Sequence, residues 1–264
     1  MAVEAQLQRI RRQKRVQTLT LVALIVALVV WSAVETQFSV MSLFGGFRES
    51  IKLVFGDFLP PKPEALSSLI EPALDTIYMS VVGMVVGSII AAVLSFFAAS
   101  TTTPHRSLLI AARGLASVLR NIPALIWALV LAYAYGLGTL VGTLALVIFS
   151  VGTLTRSFAE VLEEIDQGQV EAVRATGANY IKVLSQAVIP QFLPGFVAWS
   201  MYKLEINIRA STIVGMVGGG GLGFYIQNGL KLFQFKNVSM AILVMLVLIL
   251  VTEFFTNKIR EKVI

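Results

Sequence analysis

Residues Val170–Pro190 read "VEAVRATGANYIKVLSQAVIP". The stretch carries Glu171, Arg174, Asn179, Lys182 and Gln186 in a chain that is 56% hydrophobic and only 14% charged. Val170–Thr176 is long enough for two helical turns. Gly177 suits the position just past a helix end, where φ is positive. Asn179 is placed to cap a second helix over about Tyr180–Val188, and Pro190 is expected to limit its extension. Ile181, Leu184 and Val188 form an apolar stripe at helical spacing. Glu171 and Arg174 are neighbours at i, i+3, positioned for a weak ion pair. The pattern predicts a bent pair of short helices on a surface, shaped to enter a groove on a soluble partner. An ordinary surface loop is the alternative that local pattern leaves open.

The surroundings of this stretch are apolar. Soluble domains average about 25% charged residues, so 264 residues at 14% charge depart toward an integral membrane protein. A helix crossing a bilayer core needs roughly 20 apolar residues. Six runs qualify: about Val16–Val34, Pro72–Ala99, Ser107–Gly136 (broken by Pro123), Thr139–Thr155, Gln191–Val214 and Val238–Phe255. The first, preceded by Arg9, Arg11, Arg12, Lys14 and Arg15, also resembles a signal peptide. Its apolar run is long for that role, and no A-x-A cleavage site follows. Gly83 and Gly87 in the second run have the small-xxx-small spacing that lets helices approach closely. The predicted class is an all-α polytopic membrane protein of about six transmembrane helices. Residues 1–71 form an N-terminal transmembrane helix and external segment, and residues 72–264 the core.

Lys and Arg set the orientation. With the N-terminus in the cytoplasm, the inner side holds the five N-terminal cations, Arg106, Arg113, Arg120, Arg156, Arg174, Lys182, Lys258, Arg260 and Lys262. The outer side holds Arg48, Lys52, Lys62, Lys231 and Lys236. That asymmetry satisfies the positive-inside rule, with both termini and the opening stretch in the cytoplasm. The external segment contains "FLPPKPEAL", whose Pro60, Pro61 and Pro63 point to an extended or turn segment after a short surface helix.

Most chemistry is excluded. There is no cysteine and a single histidine, His105. The chain therefore lacks thiolate and His-rich metal sites, and it has no P-loop motif. Gly218, Gly220 and Gly223 formally match G-x-G-x-x-G, but without a preceding strand the dinucleotide reading fails. A flexible or tightly packed re-entrant turn is expected instead, as glycine permits. Glu160, Glu163, Glu164 and Asp166 read as a solvated acidic face.

Two further groups draw notice. Arg106, Arg113 and Arg120 share one helix face at a spacing of seven, either snorkelling at a membrane surface or lining an anion exit. Lys203, Glu205, Asn207 and Arg209 lie inside the fifth run, where a charge costs roughly 2.5–3.5 kcal/mol at the bilayer centre. Glu205 and Arg209 are spaced i, i+4 in the favourable order for a pair. An internal brace and a pore or gate lining both fit. Lys203, Glu205, Asn207, Arg209, Arg113 and Arg120 are thus the pore or gate candidates.

The run Glu171–Pro190 resembles the Glu-Ala-Ala signature of bacterial ATP-binding-cassette importer permeases. Glu171, Ala172, Gly177 and Pro190 match, while Val173, Ala187 and Ile189 are small apolar swaps. "RNIPALIWALVLAYAYGLG" (Arg120–Gly138), "SFAEVLEEIDQGQVEAVRATGA" (Ser157–Ala178) and "KLEINIRASTIVGMVGGGGLGF" (Lys203–Phe224) are similar to the phosphonate-type permeases of that superfamily. The resemblance implies a type I importer permease fold in the bacterial inner membrane. It implies a coupling helix near residues 169–188 that docks on a cytoplasmic ATPase through Glu171, Ala172, Arg174 and Gly177. It further implies a homodimer, two ATPase subunits that bind ATP and Mg, an external substrate-binding protein, and inward transport of phosphonate or phosphite by alternating access. No catalytic residue and no cofactor is expected on this chain, and no nucleic-acid partner. A permease for an amino acid such as methionine, a membrane-embedded enzyme and a passive channel are the alternatives.

Overall fold

The computed structural model describes residues 2–263, with side chains from residue 9 onward except at 40 and 43. Residues 1 and 264, the outer limits of the two expected segments, lie outside the described residues. The chain divides into two units, Met1–Asp57 and Phe58–Ile264. Every ordered element is helical among the described residues. Helix closes all backbone hydrogen bonds within one segment, and bilayer-spanning runs require that.

In the first unit, α1 spans Ala2–Glu35 and contains a candidate span, Arg9–Glu35. Its large apolar side chains from Ile10 to Val34 are exposed, and Thr18 and Thr20 donate back to the carbonyls of Lys14 and Val16, both at 2.8 Å. Those bonds remove hydroxyls from the lipid-facing surface. A short helix, α2 (Val40–Lys52), follows, capped by Ser39, whose hydroxyl accepts the Ser42 N–H at 3.3 Å.

The second unit is a helical bundle. Its elements are α3 (Leu66–Ala98), α4 (Arg106–Asn121), α5 (Ala124–Tyr135), α6 (Thr139–Glu163), α7 (Gln167–Ala175), α8 (Tyr180–Val183), α9 (Ile189–Val214), α10 (Gly221–Lys231) and α11 (Phe235–Val263). Among the described residues, five helical stretches are long and apolar enough to cross a membrane. The third expected run is broken at Pro123 as anticipated, with α4 and α5 bent by 87°. Pro123 explains the break, because it forces Ile122 into extended backbone (φ −88°, ψ 119°). Helix α3 starts six residues before the expected Pro72, which sits inside it. Burying Leu69 against α10 and α11 offsets the missing Pro72 donor.

The centre of the bundle is the contact between α3 and α6. A Cβ on Gly83 would lie 2.8 Å from Leu146 Cβ, and one on Gly87 would collide with Ser150. The small-xxx-small spacing therefore works as anticipated: the bare glycine surfaces let α6 seat against α3.

The glycine-rich segment is packed, not loose. A π-turn covers Gly215–Gly219, and positive φ values follow at Gly218 (104°), Gly220 (83°) and Gly221 (66°). The turn lies beside Thr76, well inside α3, where the Leu222 N–H donates to Thr76 Oγ1 at 2.9 Å. Helix α10 then runs back along α3, bringing the Tyr225 hydroxyl within 3.1 Å of Ser68 Oγ. This is a re-entrant path, with irregular backbone buried in protein as the hydrocarbon region requires.

Gly142 abuts the Gly219 carbonyl, so any side chain there enters the turn. Gly142→Val should destabilise the fold by about 1–3 kcal/mol, as overpacking does, and lower the melting temperature in detergent. Gly114→Val is the control, because a Cβ there meets nothing within 4 Å.

Candidate functional site

The elbow quoted at the outset forms as read. Helix α7 is capped by Asp166, whose carboxylate accepts the Gly168 N–H at 2.9 Å. It ends before Gly177, whose φ is 80°. Asn179 caps α8, its side-chain oxygen accepting the Lys182 N–H at 3.0 Å. Two details differ. Pro190 does not stop the second helix, because a π-helical segment, Leu184–Val188, carries the chain into α9 and Pro190 falls in that helix's first turn. The Ile189 N–H has already moved to the Leu184 carbonyl, five residues back, so the widened turn takes in the proline and its missing donor. The inward stripe also shifts: Ile181 is 72% exposed, and Val183, Ala187 and Val188 are buried.

The elbow has two faces. Val170 is buried with Val183, Ala187 and Val188 in a cluster containing Leu162, Ile165, Phe158 and Phe192. Glu171, Ala172, Arg174 and Gly177 are all exposed, and Glu171 and Arg174 form no ion pair among the described residues. The four coupling candidates thus present themselves outward on a rigid base.

That base is a polar clamp. Glu163, at the end of α6, accepts from the Ser100 N–H and the Ser100 hydroxyl, both at 2.6 Å, and from Arg113 Nη2 at 2.7 Å. Arg113 Nε also donates to the Ala98 carbonyl at 2.8 Å. Thr101 donates to the Leu162 carbonyl at 3.0 Å. The Asp166 N–H donates to Gln191 Oε1 at 3.1 Å, and Gln191 Nε2 donates to the Ala187 carbonyl at 2.8 Å. The ends of α3 and α6, the middle of α4 and the start of α9 meet here. The acidic run is therefore no simple solvated face: Glu163 clamps, Asp166 caps, and Glu160 pairs with Arg156 at 2.8 Å.

The polar residues of α9 lie elsewhere in the bundle. Lys203 is 1% exposed; its ammonium donates to the Phe149 carbonyl at 3.4 Å and lies 3.5 Å from the Phe149 ring centroid. Asn207 is fully buried; its Nδ2 donates to Ser150 Oγ at 3.0 Å and to the Ser80 carbonyl at 3.4 Å. It therefore ties α9 to α3 and α6. Nearby, Ser200 donates to Ser88 Oγ at 3.0 Å. The expected Glu205–Arg209 pair does not form. Glu205 turns to α11 and accepts from Arg260 and Thr256, while exposed Arg209 reaches Glu253 at 3.5 Å. Helix–helix packing overrides the local i, i+4 preference, because a nearly buried carboxylate needs a close partner. Arg113 and Arg120, on α4, line a separate cavity against α6.

The clamp and the α11 pairs escaped sequence reading. Glu163 and Arg113 are fifty residues apart, so no local spacing announces them. The available signal was an arginine in the middle of an otherwise mixed helix and an acid at a helix end.

Asn207→Ala should cost about 1 kcal/mol, in the range of buried interhelical hydrogen bonds in membranes. A lower melting temperature is expected, and an unchanged one would contradict a bracing role.

Comparison with known proteins adds the following. The profile of the family described as "Binding-protein-dependent transport system inner membrane component" matches residues 83–264. The chain is 39% identical over 212 residues to the phosphite transport system permease protein PtxC of Stutzerimonas stutzeri, covering 80% of this chain and 77% of the relative. It is 35% identical over 213 residues to the phosphate-import permease protein PhnE of Mycolicibacterium smegmatis, covering 81% of this chain but 40% of that longer relative. Among solved structures, the inward-facing MetNI methionine ABC transporter matches with a TM-score of 0.68 at 20% identity, over 77% of this chain and 99% of that chain.

Proposed function

The chain belongs to the family of binding-protein-dependent transport system inner membrane components, and from that premise we propose that it moves phosphite- or phosphonate-type oxyanions into the cell. It is a multi-pass membrane permease, not an enzyme. The 39% identity to a phosphite transport permease over 80% of the chain is the observation that carries the substrate class. The fold likeness to a methionine transporter, at 20% identity, speaks to architecture alone.

In this reading two copies of the chain enclose the path. ATP and Mg are bound by two partner ATPase subunits on the cytoplasmic side, and a binding protein delivers substrate outside. Both termini are cytoplasmic, which the distribution of Lys and Arg supports. The exposed residues Glu171, Ala172 and Arg174, with the turn at Gly177, form the ATPase-docking surface. The buried face of the elbow and the Glu163 clamp support this role, because they leave no soft joint between docking surface and bundle. When the ATPases close on ATP, the elbows shift and the spans rock about the α3–α6 contact. Lys203, Glu205 and Asn207 hold the moving helices in register. Arg209, exposed beside Glu253, is the residue of that group available to a path between two copies.

The test is uptake into proteoliposomes holding permease, ATPase and binding protein, with phosphite, a phosphonate and methionine offered separately. ATP-dependent accumulation of phosphite or the phosphonate is expected. Accumulation of methionine alone would overturn the substrate class, and flux without ATP would favour a passive channel.

A further inference from the structure

A cavity of about 110 Å³ lies between α4 and α6, on the side of the bundle that carries the elbow. Its charged lining is Arg113, Arg120, Arg156, Glu160 and Glu163, with Ser117 beside them. Two of the three guanidinium groups are engaged: Arg113 bonds Glu163 at 2.7 Å and Arg156 bonds Glu160 at 2.8 Å. Arg120 has no hydrogen-bond or ion-pair partner among the described residues. The lining therefore has one cation in excess, and Arg120, which is exposed, has its donors free of protein partners and open to a ligand. The Ser117 hydroxyl accepts from Asn121 Nδ2 at 3.3 Å, which leaves its own proton to donate.

The position of Arg120 is fixed by the backbone. A Cβ on Gly152 would lie 2.6 Å from the Arg120 nitrogen and 2.8 Å from Leu119, so glycine lets α4 press onto α6 at this level. The Arg120 backbone is thereby held against α6, close to the end of α4, and its side chain is part of the cavity lining. A planar, always-charged fork of donors matches a tetrahedral oxyanion in two-point contact.

We propose that this cavity is a product-side site for a small phosphorus oxyanion, gripped by Arg120 and Ser117. This rests on the transport reading above, since it assumes that such an anion leaves the bundle at the elbow's end. The site has a built-in link to the drive. Arg113, at the cavity wall, is the same group that bonds Glu163 at the elbow's root. An anion that draws Arg113 inward competes with that bond, so occupancy and elbow position affect each other reciprocally.

The experiment uses the permease–ATPase complex, without binding protein, in phosphatidylcholine nanodiscs, and titrates it with radiolabelled phosphite. Saturable binding is expected, at least tenfold weaker in Arg120→Gln and partly restored in Arg120→Lys. Absence of binding in the unmodified complex, or equal affinity in Arg120→Gln, would overturn the site. A lipid phosphate is the other source of this chemistry. If phosphatidylglycerol co-purifies with the unmodified complex and is lost in Arg120→Gln, while phosphite does not bind, the cavity holds a headgroup and the product-side assignment fails. Uptake by the complete transporter is scored separately. Phosphite uptake without Arg120-dependent binding removes the site and keeps the transport reading. Arg120-dependent phosphite binding without phosphite uptake removes the substrate assignment instead.

Discussion

The carboxylate of Glu163 is the constraint on which the working end of the bundle depends. It accepts three donors at once, from the Ser100 N–H, the Ser100 hydroxyl and Arg113. Hydrogen bonds with one charged partner contribute about 1.5–3 kcal/mol each, and the 29% exposure of this side chain lowers that figure through solvent screening. The value of the contact is its connectivity. It joins the end of α3, the middle of α4 and the end of α6 just before the chain turns into the elbow. Asp166 and Gln191 close the other side, joining α6 to the start of α9. The cluster of Phe158, Phe192 and Phe196 fills the space between, with ring centroids 5.1–5.8 Å apart.

The rest of the bundle coheres by different means. Lipid tails are as apolar as leucine, so burial from water does not hold spans together. Close approach and polar struts take its place. Glycines at 83, 87 and 142 remove the side chains that would separate helices. Asn207 and the Ser88–Ser200 bond supply the struts. Lys203 is the exception, a buried cation with only a carbonyl and an aromatic face for company. Such a charge is costly at this depth, and its cation–π contact with Phe149 recovers part of the cost.

Much of this was legible because it is local. The elbow's turn at Gly177, its cap at Asn179 and the spacing of Gly83 and Gly87 each follow from backbone sterics within a few residues. Span existence follows from apolar length. What could not be read is tertiary. The 87° bend at Pro123 needs a neighbour for each arm before its angle is set. Glu205 has a good partner four residues away in sequence, yet takes Arg260 from α11, because helix packing brings that guanidinium to the buried face while Arg209 stays outside. Ile181 falls on the predicted stripe but outside the buried face, since the elbow rolls so that Val183 and Ala187 point inward. In each case the sequence offered several partners, and three-dimensional packing chose.

In the proposed function, a bend at Gly177 on the base formed by the Glu163 clamp transmits ATPase motion to the spans. An added Cβ at Gly177 meets no atom of this chain within 4 Å, so within the permease a substitution there acts through its φ of 80°. Two side chains that both project to the partner separate that strain from simple bulk at the docking surface. The measurement is phosphite uptake per ATP hydrolysed in reconstituted transporter carrying Gly177→Val or Gly177→Asn. A β-branched residue resists positive φ, at a cost of about 1–3 kcal/mol, whereas asparagine tolerates it. Coupled uptake is predicted to collapse in Gly177→Val and to survive in Gly177→Asn, with both proteins inserted in the membrane. Equal, undiminished coupling in the two variants would contradict the account.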